Sequence, residues 1–139
     1  MRYVIASISL AGLLVAALAL QVHYSTATEP CSINAHWDCG IVNHSRYSMF
    51  FHVPVAAIGI AGYLMLAILA MARRRILLLI AAAIGLAFAL HLSSIERNVL
   101  EVWCLYCVIS QGLIALITLL SLGWLVAVER SKHRASKAA

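Results

Sequence analysis

Four cysteines in two pairs carry the chemistry open to this chain. Cys104 and Cys107, in the run Cys104-Leu105-Tyr106-Cys107, sit about one helical turn apart, so a disulfide between them can open and close with little backbone motion. Both stand where a long apolar segment begins, and the free N–H groups and dipole of a helix start stabilise a thiolate, the nucleophilic form of cysteine. Cys31 and Cys39, with seven residues between them, lie in a polar stretch of about 30 residues, long enough for excursions of tens of ångströms. One pair is placed to shuttle, the other to receive.

The elements that must hold these cysteines are read from hydropathy. Residues 3–22, 54–72, 76–95 and 104–128 are runs without a charged residue, each close to the length that spans a bilayer. Pro54 opens the second run, where its missing N–H would have had no helical partner. Arg73, Arg74 and Arg75 leave room only for a tight turn between the second and third runs, whereas Glu96, Arg97, Asn98 and Glu101 break the third from the fourth. Residues 23–53 show no sustained period of 3.6 or 2 and form the one long loop, with Pro30, Trp37, Asp38 and Gly40 among them. The predicted fold is an all-α, polytopic four-helix membrane bundle in a single domain, followed by a solvated, mobile basic tail over residues 129–139.

Composition supports the bilayer. The 139 residues are 64% apolar and 11% charged, with a mean hydropathy of +0.97, outside the range of soluble domains. Ten basic residues against five acidic ones bear on topology rather than on nucleic acid. Arg2, Arg73, Arg74, Arg75, Arg130, Lys132, Arg134 and Lys137 fall on one side, and only Arg46 and Arg97 on the other. That asymmetry predicts both termini in the cytoplasm and every cysteine at the outer face, with Glu29, Asp38, Glu96 and Glu101. Ser25-Thr26-Ala27 would suit a cleavable signal, but the preceding apolar run is longer than a signal core, so it reads as a retained first helix.

Plainer roles compete for the same residues. Two structural disulfides, a four-cysteine zinc site or simple packing would each use the thiols, but a bridge across C-x-x-C closes too small a loop to constrain much. A relay uses all four: electrons enter at the loop pair, pass to Cys104 and Cys107, and leave to an acceptor in the bilayer, for which a lipophilic quinone is suited. His52 and His91 are assigned to the membrane interface rather than to base catalysis. Trp37, Trp103 and Tyr106 read as interfacial aromatics, and Gly59 and Gly62 as sites of close helix packing.

The order Cys31, Cys39, Ser45, then Tyr47-Ser48-Met49-Phe50-Phe51-His52-Val53-Pro54, then Cys104-Leu105-Tyr106-Cys107 resembles the vitamin K epoxide reductase family across nearly the whole chain. The resemblance implies that Cys104 exchanges with the loop pair, by preference through Cys39, and that Cys107 faces a quinone. It also implies a separate periplasmic thioredoxin-like (DsbA-type) protein as thiol donor, ubiquinone, menaquinone or another vitamin K type quinone as acceptor, no metal, and the bacterial inner membrane as location. Ser45, Phe51, His52, Tyr106 and Gln111 are the expected quinone neighbours, although Ser45 also suits a turn or cap. His52 departs from the family pattern, which commonly has glycine there.

Two further functions compete: reduction of a vitamin K epoxide or quinone with thiols as reductant, and a noncatalytic membrane anchor held by disulfides. The DsbB type of quinone-linked disulfide oxidase has its C-x-x-C in the first outer loop and its looser pair in the second, the reverse of the order here.

Overall fold

A bilayer offers backbone N–H and C=O groups no partners, so uninterrupted apolar runs satisfy them internally as helices. The computed structural model describes residues 1–26 and 31–139, so the readings that involved Ala27, Glu29 and Pro30 lie outside the described residues. Its long helices are α1 (Arg2–Tyr24), α3 (Val55–Met71), α4 (Arg75–Ile95) and α5 (Leu105–Ala138), with a short α2 (Cys39–His44) between the first two. Helices α1, α4 and α5 are long and apolar enough to cross a membrane, and α3 joins them as a shorter apolar helix. The all-α membrane bundle is thus present.

Helix α1 packs against α3 and α5, and α4 against α5 and α3. Ile5, Ala16, Tyr63, Leu66, Ala70, Leu78, Ala82, Ile114 and Ile117 fill the shared core. Leu10, Leu14, Ile68, Ile84 and Leu119 face outward, as a lipid-facing surface allows. Ser9 and Ser121 are fully buried, yet each hydroxyl donates to a carbonyl one turn back in its own helix, Ile5 at 2.8 Å and Ile117 at 2.7 Å. The closest approach uses Gly12 of α1, where a Cβ would overlap the Tyr63 ring. Of the two glycines expected to permit packing, Gly59 meets Ala16 at ordinary contact distance, whereas Gly62 has nothing within 4 Å and lines a cavity.

The loop carries more structure than its lack of period suggests. Asp38 caps α2 by accepting the Ile41 N–H at 3.1 Å, and a 3-10 turn at Arg46–Ser48 leads into a hairpin of β1 (Met49–Phe50) and β2 (Val53–Pro54). Elements this short produce no readable periodicity and depend on caps and turns instead.

Two further boundaries differ from expectation. Past Ile95 the chain winds on through a π-helical turn, Glu96–Leu100, in place of an abrupt polar break. At the other end α5 runs to Ala138, so residues 129–138 extend a helix rather than forming a mobile tail. No glycine or proline interrupts them, alanine and lysine favour helix, and Lys132 pairs with Glu129 one turn back at 3.0 Å.

A sulfur cluster at the mouth of an apolar cavity

At the cysteine end of the bundle Val22, Cys31, Cys39, Val42, Val102 and Cys104 form a small core of their own. Two backbone hydrogen bonds bring its halves together: Trp103 N–H donates to His36 O at 2.8 Å, and Asp38 N–H to Trp103 O at 3.1 Å. Trp37 and Trp103 thereby become bridge partners with tilted rings 6.5 Å apart. The tryptophans expected at an interface are thus also the joint between the loop and the start of α5. Cys39 follows one side of that joint and Cys104 the other.

Cys31 and Cys39 are joined in a disulfide with their Cα atoms 5.7 Å apart, and Cys104 and Cys107 are free thiols. The Cys104 sulfur lies 3.4 Å from that of Cys39, and the sulfurs of Cys31, Cys39 and Cys104 all fall within 4.8 Å of one another. Cys104 is the N-cap of α5 and accepts the Cys107 N–H at 3.4 Å. The Asn43 amide, buried and anchored to Cys39 O at 2.9 Å, reaches Cys104 sulfur at 3.6 Å. The Cys107 thiol beside it holds the Cys104 thiol below its ordinary value, helped by the Cys107 and Tyr106 N–H groups and opposed by burial and the Glu96 charge. Cys104 is therefore the thiol most disposed to be a thiolate, aimed at a disulfide.

Cys107 lies on the wall of a cavity of about 480 Å³ that runs down between α1, α3, α4 and α5. Its lining is almost wholly apolar, with Phe50, Tyr63, Phe88 and Tyr106 supplying aromatic rings. Such a volume and lining are those of a pocket for a small apolar molecule.

The expected quinone neighbours divide. Ser45 and Tyr106 line the cavity, although the Ser45 hydroxyl also donates to Val42 O at 2.8 Å, the cap-like role weighed against binding. Gln111 lies off the wall and accepts from Ser93, tying α5 to α4. Phe51 and His52 are exposed and stay out of the cavity. The register Met49↔Pro54, Phe50↔Val53 leaves them as the two turn residues, with φ of 48° and 66°. Both therefore point away from the bundle, and Phe50, edge-on to Phe88 at 5.9 Å, supplies the ring expected of Phe51. The same left-handed turn explains why glycine suits the position of His52.

Asn43, Phe50, Phe88 and Glu96 were missed. Asn43 is four residues beyond Cys39, a spacing that brings them onto one helix face, which was the available signal. The other three come together only through packing between elements.

Sulfurs within exchange distance at the mouth of an apolar cavity, on a membrane bundle, define a membrane oxidoreductase of the thiol–disulfide class. The chain matches the family model described as vitamin K epoxide reductase family over residues 3–122, and it belongs to that family. No curated protein matches it.

Proposed function

We propose that the chain generates disulfides by oxidising a separate thioredoxin-like protein and reducing a lipid quinone. The observation that carries this reading is the split geometry of the second pair: Cys104 sulfur at 3.4 Å from Cys39, and Cys107 on the cavity wall. A partner dithiol reduces the Cys31–Cys39 bond and leaves as a disulfide. Cys39 thiolate then attacks a Cys104–Cys107 disulfide at Cys104, and Cys31 resolves the mixed bond, so the electron pair moves inward as thiols. Closing Cys104–Cys107 again sends two electrons and two protons to the quinone in the cavity, giving quinol.

Cys31 and Cys39 are about 1% and 0% exposed, so the partner gains access when the segment around them lifts from the bundle. The family resemblance points to a bacterial inner-membrane location, and the charge asymmetry supports cytoplasmic termini with the exchange surface outside.

The test uses the purified reduced protein in detergent with a reduced DsbA-type partner and ubiquinone or menaquinone analogues. Stoichiometric loss of thiols and quinone, abolished in Cys104→Ala and Cys107→Ala, is the expected result. Thiol-driven loss of a vitamin K epoxide without oxidation of the partner would assign the thiols as reductant for a different substrate. Unchanged thiols and quinone with an active partner would leave the disulfide-held anchor as the better account.

A further inference from the structure

Glu96 is buried to about 3% exposure, and among the described residues no other carboxyl group is buried and no basic side chain forms an ion pair with it. A carboxylate so placed in an apolar bundle is expensive unless its environment uses it. Its neighbours are the reacting groups. Oε2 accepts the Cys104 N–H at 3.3 Å, Glu96 and Cys107 line the same cavity, and the carboxyl lies close enough to act electrostatically on the Cys107 thiol. The π-helical turn that starts at Glu96 tucks this side chain inward while Arg97, Asn98 and Val99 stay exposed. Such wide turns are frequent at functional sites.

We propose that Glu96 is a catalytic residue that accepts the Cys107 thiol proton and passes it to the quinone, an assignment that rests on the thiol-to-quinone reading above. The Cys107 S–H bond breaks and its proton moves to the Glu96 carboxylate. The Cys104–Cys107 bond forms, the two sulfurs are oxidised, and the electron pair goes to the quinone. Glu96 returns its proton to one quinone oxygen. The second oxygen takes a proton equivalent to the one Cys104 released on ionising, so two thiols and a quinone become a disulfide and a quinol.

The experiment compares wild type, Glu96→Gln, Glu96→Asp and the exposed control Glu101→Gln in detergent. Glu96→Gln is expected to lower kcat for quinone analogues by about 100-fold, the scale of lost proton-transfer catalysis, with KM within about twofold and partial recovery in Glu96→Asp. Reduction of the Cys31–Cys39 bond by thiols, which does not involve this proton, should proceed at a similar rate in all four. A second readout needs no quinone: infrared difference spectra between the dithiol and diamide-oxidised protein. Oxidation removes the Cys107 S–H but leaves the Cys104 N–H. A carboxyl group coupled to the thiol proton gives a redox-linked carboxyl band, lost in Glu96→Gln and kept in Glu101→Gln, whereas one that only holds Cys104 gives none. Turnover of Glu96→Gln within twofold of wild type, or no such band in wild type, overturns the proposal. A wild type that reduces no quinone but shows the band overturns the quinone reading and, with it, the proton's destination, while Glu96 keeps its role as acceptor from Cys107.

Discussion

Trp37 and Trp103 are bridge partners, 66 positions apart in sequence, and the backbone bonds on either side of them lock the loop to the start of α5. This joint sets the separation of Cys39 and Cys104, which lie just beyond it on the two strands of chain. Whatever loosens the joint moves one sulfur relative to the other.

The first prediction follows from that register. In the double variant Cys31→Ser/Cys107→Ser, the two remaining cysteines should join as a Cys39–Cys104 disulfide in most molecules after mild oxidation, because their sulfurs already lie 3.4 Å apart. Peptide mass mapping without reduction reads the linkage. Predominance of free thiols would mean that the pairs do not exchange through these atoms.

Ionisation of Cys104 gives a second. With the Cys31–Cys39 bond intact, thiolate absorbance should rise at a pH below the ordinary thiol range, and Cys107→Ala, which removes the main cause, should move that rise upward. The sign for stability follows. A thiol that ionises lower in the folded protein than in the unfolded one contributes fully above the unfolded value, and that contribution is lost as pH falls through the folded value. Unfolding followed across this window should show wild type losing its advantage over Cys104→Ala on acidification.

The hairpin separates neighbours of similar chemistry. Phe50→Ala should raise KM for quinone analogues by about three- to tenfold, the equivalent of an aromatic contact worth about 0.5–1.5 kcal/mol. Phe51→Ala, altering a side chain outside the cavity, should leave KM within twofold. His52→Gly should raise stability by about 1 kcal/mol by relieving a left-handed backbone, measured as a higher midpoint of thermal unfolding in detergent. Equal KM effects at Phe50 and Phe51 would contradict the register.

Close packing of α1 on α3 is tested at Gly12. A leucine there meets the Tyr63 ring and should destabilise the bundle by about 1–3 kcal/mol, the usual range for overpacking. Gly62→Ala, with open space before it, should unfold within a degree or two of wild type. Should the two behave alike, the helix contact is not where the structure puts it.

Sequence alone determined the helices and the thiols' station. The apolar runs 3–22, 54–72, 76–95 and 104–128 fall on the helices α1, α3, α4 and the first part of α5, because apolar length is a local property that the bilayer converts directly into helix. The C-x-x-C was legible for a related reason, since its helical spacing and its position at a helix start are both written in one short segment. Tertiary structure alone decided which groups meet. Phe50 rather than Phe51 reaches the cavity because the strand register keeps Phe50 on the hairpin strand and leaves Phe51 in the two-residue turn. Asn43 and Glu96 converge on Cys104 from α2 and from the turn after α4, 53 residues apart. No period or spacing encodes such a meeting: it depends on how α2 seats against α1 and on where the backbone joint at Trp37 and Trp103 closes.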